Sequence, residues 1–305
     1  MSNVIEVNNL TKNYGEGRGI FNISLSIEKG EMLGFAGTNG SGKTTTIRHI
    51  MGFIKPDSGA AYVNGLEAWS HSNEYIRDIG YVPGEIAFPD LSTGTAFLKS
   101  QADFLNLKDM SYADELIGKL QLDPGASLKR MSKGMKQKTA IVAALMSDPS
   151  IIILDEPTTG LDPLMRDAFL EIIKDEHSKG KTILMSSHMF EELEVTCDLV
   201  TLISNGHIEN TINMEDIRNP KIRDYKIEFF SEEDYEKFKT LDFQIIRDQP
   251  KYRQVTAALS GDQLDELFRV LKNMDIRFVS EVKYDLGKYF REKLGREKES
   301  EENVQ

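Results

Sequence analysis

The stretch GTNGSGKT at 37–44, Gly37-Thr38-Asn39-Gly40-Ser41-Gly42-Lys43-Thr44, fits G-x-x-x-x-G-K-S/T and decides the fold. An apolar, strand-like run at 31–36 precedes it, and a helical pattern over 43–52 follows. Gly37, Gly40 and Gly42 let the backbone curl so that successive N–H groups converge on the β- and γ-phosphates of a nucleotide. Thr38, Asn39 and Ser41 complete that cradle, and the following helix adds its positive N-terminal end. Lys43 is positioned to bridge the β- and γ-phosphates, Thr44 to offer its hydroxyl to Mg²⁺, and Thr45 to meet the α-phosphate. The loop by itself indicates a nucleotide and not what the nucleotide is used for.

A second signal lies downstream. The run IIILDE at 151–156 is an apolar strand ending in two carboxylates. Asp155 at the strand's end can hold Mg²⁺ through water, and Glu156 points toward the γ-phosphate, where it takes a proton from the attacking water or orients it. His188 follows another expected strand, at 182–185. Ligand-contacting groups of open α/β sheets sit at such strand ends, so His188 is expected to touch the γ-phosphate.

Composition narrows the class. The chain has 305 residues, 40% apolar and 28% charged, which suits an ordinary globular protein with one good core and a second, smaller one. A net charge of −12 argues against general nucleic-acid binding, which needs a basic face. The single cysteine, Cys197, excludes an intrachain disulfide and reads as a core residue in a reducing compartment. No segment approaches the apolar length of a membrane span, and MSNVIEVNNLTK at 1–12 does not read as a signal peptide. The expectation is a soluble protein whose membrane role, if any, runs through partners.

Strands and helices alternate to about residue 218, the pattern of an α/β fold. Over about 93–146 helix-period segments replace the strands, at 96–107, 112–120 and 135–146, which predicts a helical subdomain inserted into the α/β core. Strands return at 151–154, 182–185 and 199–203. Residues 219–290 change character: strands at 225–230, 244–247, 253–259 and 276–282, helices at 232–241 and 262–274, and a turn at Asp248-Gln249-Pro250. The order βαββαβ predicts a small α+β accessory domain, ferredoxin-like. Residues 291–305 are charged, apolar-poor and expected to be disordered.

The segment MSKGM at 131–135 resembles the signature of ATP-binding cassette (ABC) proteins, usually Leu-Ser-Gly-Gly-Gln, in variant form. Ser132 and Gly134 keep the serine and second glycine, while Met131, Lys133 and Met135 depart from the pattern. With that segment in place, the rest resembles the ABC order over about 4–218. Tyr14 matches the aromatic that stacks on adenine, Gly160-Leu161-Asp162 the D-loop, and Ser187-His188 the switch region; IIILDEPTTGLDP at 151–163 is close to diagnostic. The resemblance implies an ATPase, with ATP and Mg²⁺ as its ligands, in which two copies pair head to tail. Each ATP then lies between one copy's phosphate loop and the other's Ser132–Gly134 segment, with Asp162 nearby. It further implies transmembrane permease subunits as partners and a place at the cytoplasmic face of the membrane. The single cassette most resembles bacterial ABC-2 exporters; a soluble ABC ATPase acting on ribosomes is the alternative, disfavoured by one cassette and acidic charge. One position departs: the family's glutamine after Gly-Tyr-Val-Pro is Gly84 here, followed by Glu85, and either Glu85 or water completes the metal shell. The 219–290 region is open between a regulatory or ligand-sensing domain, a dimer prop and a stabilising appendage.

Overall fold

The computed structural model describes residues 2–290; the charged tail at 291–305 lies outside the described residues. The chain divides into two compact units, Met1–Ile212 and Asn213–Gln305.

Two sheets build the first unit. The larger is six-stranded in the order β10-β9-β3-β8-β7-β6. Its strands are β3 (Met32–Ala36), β6 (Ile79–Val82), β7 (Ile151–Asp155), β8 (Thr182–Ser187), β9 (Leu199–Ser204) and β10 (His207–Asn213). From β6 to β9 every neighbour is parallel. β3 and β7 read MLGFA and IIILD and are buried at every residue, as strands covered on both faces must be. The smaller sheet, order β2-β1-β4-β5, is antiparallel: β1 (Asn3–Gly15), β2 (Arg18–Glu28), β4 (Ser58–Val63) and β5 (Leu66–Glu67). Alternating apolar residues Ile5, Val7, Ile20, Ile23 and Ile27 are fully buried, joining this sheet to Phe35 and Ile47 in one core. The long β1–β2 hairpin is absent from the sequence-based reading, because its outward residues are polar and repeated register shifts along β1 and β2 break the strict alternation that marks a strand.

Helix α1 (Lys43–Ile50) follows β3 through the glycine-rich loop, and α2 (Ala68–Tyr75) precedes β6. Between β6 and β7 there are three helices, α3 (Gly94–Leu105), α4 (Ser111–Lys119) and α5 (Lys133–Leu145), near the spans expected from periodicity. α6 (Pro163–Ser178) and α7 (Phe190–Thr196) follow β7 and β8. The parallel sheet, the glycine-rich loop and α1 make the α/β fold of a P-loop NTPase. Cys197 is fully buried, as expected of a core residue.

The second unit contains α8 (Met214–Arg218), β11 (Ile222–Phe229), α9 (Glu232–Lys239), β12 (Gln244–Gln249), β13 (Gln254–Ser260), α10 (Leu264–Leu271) and β14 (Ile276–Val282). The antiparallel sheet runs β12-β13-β11-β14, and Tyr225, Ile227, Phe229, Tyr235, Phe238 and Leu267 form its own core. Two local expectations need correction. β12 continues through Asp248 and Gln249, so the turn is Pro250–Tyr252 closed by Arg253 at φ 48, not Asp248-Gln249-Pro250. The helix expected over 262–274 begins as a 3-10 turn capped by Ser260 and ends at Leu271. The unit boundary also falls earlier than 218/219, because Asn213 caps α8 and starts the second unit. Among the described residues, no helix is long and apolar enough to cross a membrane.

Candidate functional site

α1 opens on Gly42, at φ 118, a conformation that L side chains rarely adopt, and no side chain caps the helix. Its first N–H groups therefore face the loop, ready for an anion. Around them lies a cavity of about 460 Å³ lined by Asn39, Gly40, Gly42, Lys43, Thr44 and Thr45 from the loop and helix, Tyr14 from β1, and Glu156. Tyr14 is half exposed, so its ring is available for stacking.

Lys43 is 5% exposed, and its ammonium donates to the carbonyls of Gly37 at 2.6 Å and Thr38 at 3.1 Å. It also stands 3.2 Å from Glu156 Oε1 in an ion pair that does not meet hydrogen-bond geometry. The other oxygen, Glu156 Oε2, lies 2.5 Å from His188 Nδ1. Lys43, Glu156 and His188 thus form one continuous line of charge-bearing groups from the phosphate loop to the end of β8. His188 does not line the cavity itself; it reaches it through Glu156.

Glu156 sits at φ 51, left-handed backbone for a non-glycine residue. Ser186 holds it there: the Glu156 N–H donates to the Ser186 carbonyl at 3.2 Å and to Ser186 Oγ at 3.0 Å. The same Ser186 hydroxyl donates to Asp155 Oδ1 at 2.7 Å. One buried serine on β8 therefore holds the Asp155 carboxylate and the main chain of Glu156 at the end of β7. Glu192 of α7 does similar work on the other arm. It is 2% exposed, accepts from Ser187 Oγ at 2.8 Å, and Ser187 Oγ in turn accepts from the Met189 N–H, bracketing His188. Burial pushes the Glu192 carboxyl up. Ser186 and Glu192 went unread in the sequence, where nothing marks a serine inside a strand or a glutamate inside an acidic helix as buried.

Whether the site suits a divalent cation is testable on Asp155. It is fully buried, Oδ1 is taken by Ser186, and Oδ2 has no hydrogen-bond partner among the described residues. An orphaned, buried carboxylate oxygen is a hard donor of the kind Mg²⁺ prefers, and Thr44, which lines the cavity, carries a second oxygen donor. Gly84 lies against it: a Cβ built there would be 3.0 Å from Asp155 Oδ2. Glu85 is exposed and does not line the cavity.

Ser132, Gly134 and Asp162 are not brought into this cavity within one chain. Ser132 caps α5 by accepting from the Met135 N–H at 3.2 Å, and Asp162 caps α6 by accepting from the Met165 N–H at 3.0 Å. Gly134 packs on the Gly160 carbonyl, 2.6 Å from where a Cβ would stand, so the two caps share one ridge. Arg18 and Asn205 also line the cavity and were not foreseen.

The protein-family model described as ABC transporter matches residues 20–159. The chain is 34% identical over 235 residues to the bacitracin transport ATP-binding protein BcrA of Bacillus licheniformis, covering 74% of this chain and 76% of that protein. It is 35% identical over 210 residues to the linearmycin resistance ATP-binding protein LnrL of Bacillus subtilis (strain 168), covering 67% and 68%. Among solved structures, a dimeric bacterial ABC transporter cassette superposes with a TM-score of 0.62 at 25% identity, covering 69% of this chain and 98% of that one.

Proposed function

Because this chain belongs to the family of ABC transporter ATP-binding proteins and is the ATPase subunit of such a transporter, we propose that it serves an exporter as one of two copies that sandwich two ATP molecules. The observation that carries the catalytic part is the Lys43–Glu156–His188 line inside a phosphate-loop cavity. ATP entering this cavity stacks its base on Tyr14 and lays its phosphates along the N–H groups of 37–45. Its terminal phosphate takes Lys43's ammonium away from Glu156. The freed carboxylate, still steadied by His188, is the base that orients the attacking water and accepts its proton. His188 then stands within reach of the γ-phosphate through Glu156.

Asp155 Oδ2 and the Thr44 hydroxyl would hold Mg²⁺, which supplies charge neutralisation to the terminal phosphates. Gly84 leaves room for water rather than a side chain beside that oxygen. The second grip on each ATP comes from a partner copy's Ser132 and Gly134, with its Asp162 at the margin. The absence of those residues from the single-chain cavity agrees with that arrangement, and ATP becomes part of the dimer interface.

The membrane partner meets the ATPase at a groove of about 290 Å³ walled by Ile86, Phe88, Phe97 and Phe104. Its apolar floor suits a cytoplasmic helix of a permease subunit. On this reading the chain works at the cytoplasmic face of the membrane, held there by partners. Relatives named for bacitracin transport and linearmycin resistance support a transporter over a ribosome-acting ATPase, and support export as its direction. We propose the second unit as an accessory domain of ferredoxin-like type. Glu156→Gln tests the catalytic reading: phosphate release should fall at least about 100-fold while ATP binding persists, as for loss of a general base. Hydrolysis that survives the substitution would remove Glu156 from that role.

A further inference from the structure

Three charged side chains line the phosphate-loop cavity: Arg18, Lys43 and Glu156. Two of them largely cancel, since Lys43 is paired with Glu156 and already donates to two loop carbonyls. Arg18 is different. It pairs with Glu16 at 3.3 Å, but those side chains are 72% and 85% exposed, a contact that water weakens. A chain of net charge −12 repels a polyanion at long range, so an uncommitted cation on the cavity wall matters more than it would in a neutral protein.

The hairpin register says which part of a nucleotide this cation meets. Arg18 stands opposite Gly15, one residue beyond Tyr14, and Gly19 and Ile20 follow opposite Asn13 and Lys12. Ile20 packs on the start of α1, where a Cβ on Gly42 would come 2.7 Å from its side chain. Arg18 therefore lies between the aromatic ring at one end of the cavity and the first turn of α1, with Thr44 and Thr45, at the other. A nucleotide with its base on Tyr14 and its terminal phosphates on Lys43 has its α-phosphate in that interval. Gly15 and Gly17 on either side have nothing within 4 Å of where a Cβ would be, so the guanidinium has open space in which to turn.

We propose that Arg18 is a nucleotide-binding residue whose guanidinium grips the α-phosphate, and that Glu16 competes with the nucleotide for it. The inference rests on the ATP-binding reading above. A planar fork of donors makes a charge-assisted, two-point contact with a phosphate, and it must leave Glu16 to do so. The contact belongs to the part of the ligand shared by ATP and ADP, so it acts on both.

The test is equilibrium titration of the full chain and its variants with ATP, ADP and 2′-deoxy-ATP in the presence of Mg²⁺. Arg18→Gln should weaken all three by a similar factor, roughly tenfold, without changing the thermal unfolding midpoint. Glu16→Gln should tighten ATP binding by roughly threefold in the parent and have no effect when combined with Arg18→Gln. The proposal is overturned if Arg18→Gln binds ATP like the parent. It is equally overturned if the loss appears with ATP and not ADP, which would move the contact to the γ-phosphate, or with ATP and not 2′-deoxy-ATP, which would move it to the ribose. Lys43→Ala keeps the two questions apart: a parent that binds ATP while this variant binds weakly upholds the ATP-binding reading, whichever way Arg18 behaves.

Discussion

Lys43, Glu156 and His188 are joined in a chain in which each group is held by the next, and in the proposed mechanism ATP breaks it at one end. A terminal phosphate competes for Lys43 with a carboxylate 3.2 Å away. The preference for the ligand comes from the loop N–H groups, which Glu156 cannot engage. Tyr14 works differently. Its ring is half exposed on the wall of the cavity, and in the proposed role it would meet the base alike in ground and transition states. Tyr14→Ala should therefore raise KM by about 5- to 150-fold, the equivalent of the 1–3 kcal/mol of a base–aromatic stack, with kcat nearly unchanged. Steady-state kinetics across ATP concentrations checks this; a fall in kcat alone would show that the ring does something other than stack. Lys43 and Glu156 were legible in the sequence because each belongs to a motif whose spacing carries its own geometry, His188 because it follows an expected strand, and Tyr14 only through the family resemblance. Ser186 was not, since its importance comes from a strand-to-strand contact that joins residues distant along the chain.

At the scale of elements, the helical block is tied to the α/β core by a buried ionic cluster. Glu176 on α6 is fully buried and accepts from Tyr112 of α4 at 2.6 Å, from Lys179 at 2.6 Å and from Lys181. Desolvation pushes the Glu176 carboxyl up, but the hydrogen bonds from Lys179, Lys181 and Tyr112 outweigh it and hold the group below its ordinary value of 4.5. Tyr112 is raised, by burial first and then by its bond to Glu176. A carboxyl with a depressed folded-state pKa stabilises the protein fully above its unfolded value. That stabilisation is lost as pH falls from 4.5 through the lower folded value. Glu176→Gln should cost about 1–3 kcal/mol near neutral pH, because Lys181 loses its buried partner and keeps only the exposed carboxylate of Asp148. It should also flatten the acid limb of the stability profile below pH 4.5, the window the depressed pKa defines. Urea unfolding at stepped pH measures both; an unchanged acid limb would mean that other carboxylates set it. The helices α3, α4 and α5 were readable from apolar periodicity, whereas this latch was not, since Tyr112 and Glu176 are 64 residues apart.

At the scale of the whole molecule, the cavity holds the phosphate loop and Glu156 but not Ser132, Gly134 or Asp162, and the proposed sandwich assigns those three to a second copy. Glu156→Gln with ATP and Mg²⁺ should run as a dimer in light scattering at protein concentrations where the ligand-free variant is a monomer. A variant that stays monomeric with ATP bound, with permease subunits present, would count against the sandwich. The second unit carries its own core, built from Tyr225, Ile227, Phe229, Tyr235, Phe238 and Leu267. A chain ending at Ile212 should consequently keep ATP binding within about threefold of the full chain, a change of under about 1 kcal/mol. A larger loss on titration would show that 213–305 supports the nucleotide site.

The amino-acid sequence alone determined the phosphate loop, the paired carboxylates at the end of β7 and the run of helices between β6 and β7. Each of these is a local pattern, in which glycine placement, apolar periodicity or a strand's last residue already implies a geometry. Tertiary structure decided which strangers meet: Arg18 of the β1–β2 hairpin on the cavity wall, Ser186 on the Asp155 carboxylate and the Glu156 N–H, Tyr112 on Glu176, and Asp155 Oδ2 left bare beside Gly84. Such contacts depend on sheet order and register, which the strands settle collectively by burying their apolar faces, and a linear pattern of residues does not specify that outcome position by position.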